Sequence, residues 1–286
     1  MNTYQQHVAA IPSDTKKKLI ALPILVALVV LLIIPGVFQY GLAPLIGSDP
    51  EQLISPAGAV GMIAAVTLGS WLMAKTSGIS FGDLGIKKQH WASRAITGAV
   101  WGILALSAVG LIINVLGGTR TTYVFDTSMV GALVTGVVFF AFQGTWEELI
   151  YRAYLMPHFS KVMGNTWSVI VTSLLFTLFH GLNPGMTLMP ILNLLVASIV
   201  FSLIYIKTGN LLLTGLAHGM WNFSQGFIFG SLVSGNTTPG SLFASAPKGS
   251  ELISGGSFGF EGSIVTTFVG VVIIAFLLSK LRKTAR

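Results

Sequence analysis

With 286 residues, 53% of them hydrophobic and only 9% charged, and a mean hydropathy of +0.80, this chain does not have the surface of a water-soluble domain, which carries about 25% charged residues. The formal charge of +7 sits in short clusters between apolar runs, which argues against nucleic acid as a partner and instead reports orientation in a membrane. No cysteine is present, which excludes disulfides, thiolate metal sites and a cysteine nucleophile.

The polar residues 1–18, ending in Lys16-Lys17-Lys18, read as a cytoplasmic tail. The apolar run from Leu19 to Ile46 outlasts the roughly 7–15 residues of a signal-peptide core, and so reads as a retained first span. Stretches able to cross a hydrocarbon core of about 30 Å recur at roughly 19–45, 56–74, 95–117, 130–157, 166–182, 187–206, 210–232 and 263–281. The pattern predicts an all-α integral membrane protein of about eight transmembrane helices. Residues 19–286 form a single multi-span domain, with its polar motifs in about 130–232. Residues 75–94 mix basic groups with Phe81, Leu84, Ile86 and Trp91, as an interfacial helix or loop on an anionic leaflet does. Residues 233–262 are rich in Gly, Ser, Thr and Pro and read as a flexible external linker rather than a lid.

Charge placement fixes the predicted orientation. With eight spans, Lys16, Lys17, Lys18, Lys75, Lys87, Lys88, Arg94, Lys161, Lys207, Lys280, Arg282, Lys283 and Arg286 fall on one side. Only Arg120 and Lys248 fall on the other, and Arg152 lies within a span. By the positive-inside rule both termini are cytoplasmic.

Charged groups inside spans cost about 2.5–3.5 kcal/mol each, and only Glu147, Glu148 and Arg152 lie well inside one. Glu148 and Arg152 are i and i+4, acid first, the favoured order for an intrahelical pair. Glu147 is rotated about 100° away and shares a face with Gln143, Tyr151 and Tyr154. An unpaired carboxylate in a dry place suits general acid–base work. Two further helices carry Phe176 with His180 and His218 with Asn222, each at i and i+4. Any one of these groups alone is explained by helix packing; three polar clusters on three helices are not. Two chemistries fit them. Glu147, His180 and His218 could ligate a zinc ion that activates water. Without metal, Glu147 and His180 could deprotonate water while His218 and Asn222 stabilise the oxyanion. Phe140, Tyr151, Tyr154, Phe176 and Trp221 are the candidate substrate-binding residues around them. An ion-coupled transporter and a non-catalytic scaffold or immunity protein are the competing readings. Depth poses a difficulty: Glu147 reaches the depth of His218 only if its helix continues past Arg152 to about Pro157, and His180 then lies too near the outer side unless the next helix tilts or breaks near Gly181.

The ordered motifs E-E-x-x-x-R (Glu147, Glu148, Arg152), F-x-x-x-H (Phe176, His180) and H-x-x-x-N (His218, Asn222) resemble those of the CAAX protease and bacteriocin-processing family, also called CPBP or Abi. The segment FGDLGIKK resembles one often found upstream in that family. The resemblance implies an eight-helix intramembrane peptidase with a cavity opening to the cytosol. Its prenyl-endopeptidase members remove a C-terminal tripeptide after a lipidated cysteine. It further implies that Glu147 activates water beside His180, that His218 and Asn222 stabilise the oxyanion, and that Glu148 and Arg152 support the helix. A peptide or lipidated protein would be the substrate and membrane lipid the surroundings. Short loops look prokaryotic, which points to the cell (inner) membrane.

Overall fold

The computed structural model describes residues 3–284, about three-quarters of them in helices. The first helix, α1 (Thr3–Ala10), lies within the stretch expected as a tail. Tyr4, His7 and Ile11 are buried against the rest of the fold, so this stretch is docked to the bundle.

Among the described residues six segments are long and apolar enough to cross a membrane, by length and composition. The first, α2 (Lys16–Ile46), is interrupted by a π turn at Val29–Ile33. There the Ile34 N–H bonds the Val29 carbonyl, five residues back. In that register Val30 would need a donor from Pro35, which has none. Its carbonyl is satisfied instead by the Trp146 indole N–H at 3.1 Å. Next, α3 (Pro56–Ser77) starts on Ser55, whose side chain accepts from the Gly58 N–H, and stops at Gly78 with φ 64°. Then comes α4 (Trp91–Val115).

The longest segment, Thr127–Phe179, contains α5 (Val130–Glu148), a π stretch at Leu149–Leu155, and α6 (Met156–Phe179). It bends at Gly164, whose φ of 79° and ψ of 166° leave the helical region; only glycine adopts such a φ freely. The two stretches predicted at 130–157 and 166–182 are thus two legs of one bent element. The first leg runs past Pro157, and at 1.5 Å per residue Glu147 lies near its middle. Two further helices follow, α7 (Leu188–Thr208) and α8 (Leu211–Phe223), the latter prolonged by a π turn at Ser224–Ile228. The last is α9 (Ile264–Thr284).

At the centre, α8 packs between α4 and α5. Glycines set that closeness. A methyl group at Gly98 or Gly102 of α4 would strike the backbone carbonyls of Leu213 and Ala217, and one at Gly219 would strike the Phe140 carbonyl. Small residues four apart let apolar helices approach through backbone contact, which is how helices associate where water supplies no drive.

Outside the helices the structure takes the loop alternative in one stretch and departs from expectation in another. Residues 79–90 form turns rather than a helix, bury Leu84, and lend the Gly85 carbonyl to the Leu211 N–H at 3.1 Å. Residues 233–262 are not a loose linker. They contain β2 (Phe243–Pro247), paired antiparallel with β1 (Thr119–Tyr123), and Phe258 and Phe260 are each 1% exposed. The strand pairing sets Arg120 opposite Ala246, which brings Arg120 and Lys248 to the same end of the molecule.

Candidate active site

The π stretch begins at the residue after Glu148, and such wide turns often occur at functional sites. The predicted i, i+4 pair is formed. Arg152 Nη1 donates to Glu148 Oε1 at 2.9 Å, and Nη2 donates to Ser198 Oγ at 2.8 Å and the Ser198 carbonyl at 3.2 Å. Both charged residues are fully buried, and the guanidinium lies 4.6 Å from the Phe176 ring centroid. Glu148 Oε1 also accepts from His218 Nδ1 at 2.9 Å. This fixes the imidazole edge-on between helices, with the Phe201 ring stacked on its face at 4.7 Å and 14°.

His180 caps α6 immediately after Phe179. Its Nδ1 lies 2.8 Å from the Phe176 carbonyl. A carbonyl only accepts, so Nδ1 carries the proton. Each histidine therefore spends Nδ1 on an anchor and turns Nε2 toward Glu147. The Nε2 atoms of His218 and His180 stand 3.8 and 3.9 Å from Glu147 Oε2. That oxygen has no hydrogen-bond partner among the described residues. The break between Phe179 and the next turns, together with the long Glu147 leg, removes the depth difficulty.

Glu147 Oε1 accepts from Gln143 Nε2 at 2.5 Å, and Gln143 Oε1 accepts from Asn222 Nδ2 at 3.0 Å. Gln143 is thus the link between the motif on α5 and the motif on α8. Its spacing of four from Glu147 marked the shared face, but nothing in the pattern revealed the bridge to Asn222. Asn222 Oδ1 is buried and unpartnered among the described residues.

These groups form one wall of a cavity of about 950 Å³, which Glu147, His180, His218, Asn222 and Gln143 line. The opposite walls are apolar, built largely from α4, α7 and α9. Of the candidate substrate-contacting residues, Phe140, Tyr151, Phe176 and Trp221 line it. Tyr154 does not. Its hydroxyl accepts from Ser77 Oγ at 3.0 Å, and it is fully buried against α3. The widened π turns rotate it off the face that regular helix geometry gives to Tyr151. Glu261, just ahead of α9, reaches this cavity too; its place in a Gly- and Ser-rich stretch hid it from sequence reasoning.

Zinc draws its N and O ligands to about 2.0–2.2 Å from one point. Among the described residues no group of three His, Cys, Asp or Glu stands out as gathered to hold a metal ion; Glu147, His180 and His218 are the residues that would hold one here.

Residues 129–224 match the family described as type II CAAX prenyl endopeptidase Rce1-like. That stretch contains Glu147, Glu148, Arg152, Phe176, His180, His218 and Asn222, and the match supports the resemblance to the CAAX protease and bacteriocin-processing family. No curated protein and no solved structure matches the chain. The long apolar helices, together with this match, point to a multi-pass membrane protein.

Proposed function

We propose that this protein is an intramembrane endopeptidase that hydrolyses a peptide bond near the C-terminus of a protein or peptide, with prenylated CAAX-type chains among its substrates. The observation that carries the reading is the convergence of two histidine Nε2 atoms on the unpartnered Glu147 Oε2, at the wall of a largely apolar cavity. Separations of 3.8–3.9 Å are too long for direct hydrogen bonds and suit groups that meet through a water.

The steps follow from the anchors. Glu147 takes a proton from water oriented by His180 Nε2, and the water oxygen adds to the scissile carbonyl carbon. The carbonyl oxygen becomes an oxyanion that accepts from Asn222 Nδ2, which keeps one hydrogen beyond the one given to Gln143, and from His218 Nε2, which carries a proton when the ring is the imidazolium paired with Glu148. Preorganised donors of this kind stabilise charge as it develops. Glu147 then passes the proton to the departing amine as the C–N bond breaks. Gln143 and Glu148 act by orientation, holding Glu147, Asn222 and His218. The apolar walls accept the lipid or apolar side chains of the substrate.

The same reading gives the chain eight crossings, counting the two legs of Thr127–Phe179 and the Leu211–Ile228 helix, with both termini cytoplasmic in a prokaryotic inner membrane. The charge distribution supports this orientation, since Arg120 and Lys248 share one end.

The test is cleavage by the purified, detergent-solubilised protein of a panel of prenylated and unmodified peptides, with Glu147→Gln as control and a chelator arm for zinc. Cleavage that depends on Glu147 and resists chelation is the expected result. Cleavage that survives Glu147→Gln overturns the assignment of the base.

A further inference from the structure

Glu261 lies beyond residues 129–224 and takes no part in the steps above. Four donors converge on its carboxylate. Oε1 accepts from the Trp221 indole N–H at 3.2 Å. Oε2 accepts from the Ser234 N–H at 2.9 Å, the Ser234 hydroxyl at 2.7 Å, and Gln225 Nε2 at 3.4 Å. Trp221 precedes Asn222 on α8, and both line the cavity, as do Glu261 and Val233–Ser234.

From Ser234 the connection continues to His180. Gly235, with φ 83°, packs so closely on the Pro184 carbonyl that a methyl group there would collide with it. Pro184 lies four residues after His180, in the turn that ends α6. The Gly235 N–H also donates to the Phe258 carbonyl at 3.2 Å, which ties the strap to the buried Phe258. The Glu261 backbone is itself held, since Asn193 Nδ2 of α7 donates to its carbonyl at 2.7 Å.

We propose that Glu261 is a positioning residue for the peptidase: it pins Trp221 and the 233–237 strap, and so shapes the end of the substrate cavity between Asn222 and the His180 turn. The proposal rests on the peptidase reading for its effect on substrate, but the anchoring itself does not. A glutamine cannot replace the carboxylate. Its amide nitrogen would face either the Trp221 N–H or the Ser234 donors, so one arm of the anchor is lost whichever way it turns.

The absence of cysteine from the chain supplies a clean readout. Val233 is 7% exposed and lines the cavity. In a Val233→Cys background, labelling by a water-soluble maleimide reports how firmly the strap is held. With Glu261→Gln added, labelling should accelerate about tenfold, as expected when a local opening loses one anchoring hydrogen bond. In the cysteine-free protein, Glu261→Gln should raise KM for the best peptide of the panel about tenfold with kcat within twofold, the signature of lost uniform binding. Ser234→Ala, a milder change that removes one donor, should move both readouts the same way by less. Unchanged labelling overturns the anchor, and faster labelling with unmoved KM overturns the link to substrate. A fall in kcat alone also overturns the proposal. If no peptide is cleaved by the unmodified protein, the peptidase reading fails, while labelling still decides the anchor.

Discussion

Two carboxylates adjacent in the chain lie in opposite environments. Glu148 points into the bundle, fully buried, where one oxygen accepts from both Arg152 and His218. Glu147 points into the cavity, where one oxygen is held by Gln143 and the other faces two histidine nitrogens at 3.8–3.9 Å. One oxygen of each carboxylate has no hydrogen-bond partner among the described residues, but only Glu147 lines the cavity. The inner side is an ion pair, shut away from the cavity, that fixes a histidine. The outer side is a set of held but unconsumed polar atoms, which is what a reacting water and a peptide require. Leaving buried polar atoms unpaired costs about 1–3 kcal/mol each, so a fold that does so beside a cavity has placed its strain at the point of use.

The sharpest way to break this contrast is to exchange the two acids' fates. Glu147→Gln should lower kcat by about 10²–10⁴-fold, the usual contribution of a general base. Its thermal midpoint should stay near that of the unmodified protein, because the glutamine oxygen still accepts from Gln143. Loss of fold in this variant would show that Glu147 belongs to the structural set. Arg152→Met should do the reverse first, destabilising by about 3–5 kcal/mol because it strands Glu148 without its cation. Replacing both Glu148 and Arg152 by leucine should recover much of that stability without recovering activity, since His218 loses its anchor. An active double variant would sink the claim that the pair orients His218.

A smaller effect tests the scaffold that brings the two sides together. Gly219→Ala places a methyl group against the Phe140 carbonyl, and overpacking of this kind costs about 1–3 kcal/mol. Because α8 carries His218 and Asn222, activity should fall further than the folded fraction does. Equal losses in both would mean that α8 shifts without disturbing the site.

The helices and the polar set were legible in the sequence because both stand out against an apolar background. Span-length runs mark the helices, and a charge among leucines has few explanations. The order Glu147, His180, His218, Asn222 anticipated the cluster that the fold assembles. Other features depend on local geometry that composition does not encode. The π turns after Glu148 rotate Tyr154 away from the cavity, and the bend at Gly164 joins two predicted spans into one element. Residues 233–262 misled in the opposite sense. Their glycines and serines suggested slack chain, but several of those glycines permit tight contact, and the stretch buries Phe258 and Phe260 and delivers Glu261. Gln143 shows the same limit on a smaller scale, since spacing gave its face and only the packing of α5 on α8 gave its partner.

The smallest predicted effect concerns a third buried polar group, outside the spans and not among the residues that line the cavity. His7 of α1 is 3% exposed, with Nδ1 3.2 Å from the Tyr205 hydroxyl and Nε2 unpartnered among the described residues. Burial lowers its pKa from 6.5 to about 4, the Lys87 ammonium acting in the same sense and the Asp83 carboxylate against it. A histidine that resists protonation when docked, but titrates normally when released, contributes stability that is complete above pH 6.5. That stability is lost as pH falls toward 4, at about 1.4 kcal/mol per unit. Between pH 7 and pH 5.5 the docked helix should therefore weaken by about 1 kcal/mol. Thermal midpoints at the two pH values, for the unmodified protein and for His7→Gln, measure it: the variant should lose less on acidification. Equal losses would assign the pH response to some other group. They would also place His7 with Glu148, as a buried polar residue held for structure, rather than with Glu147.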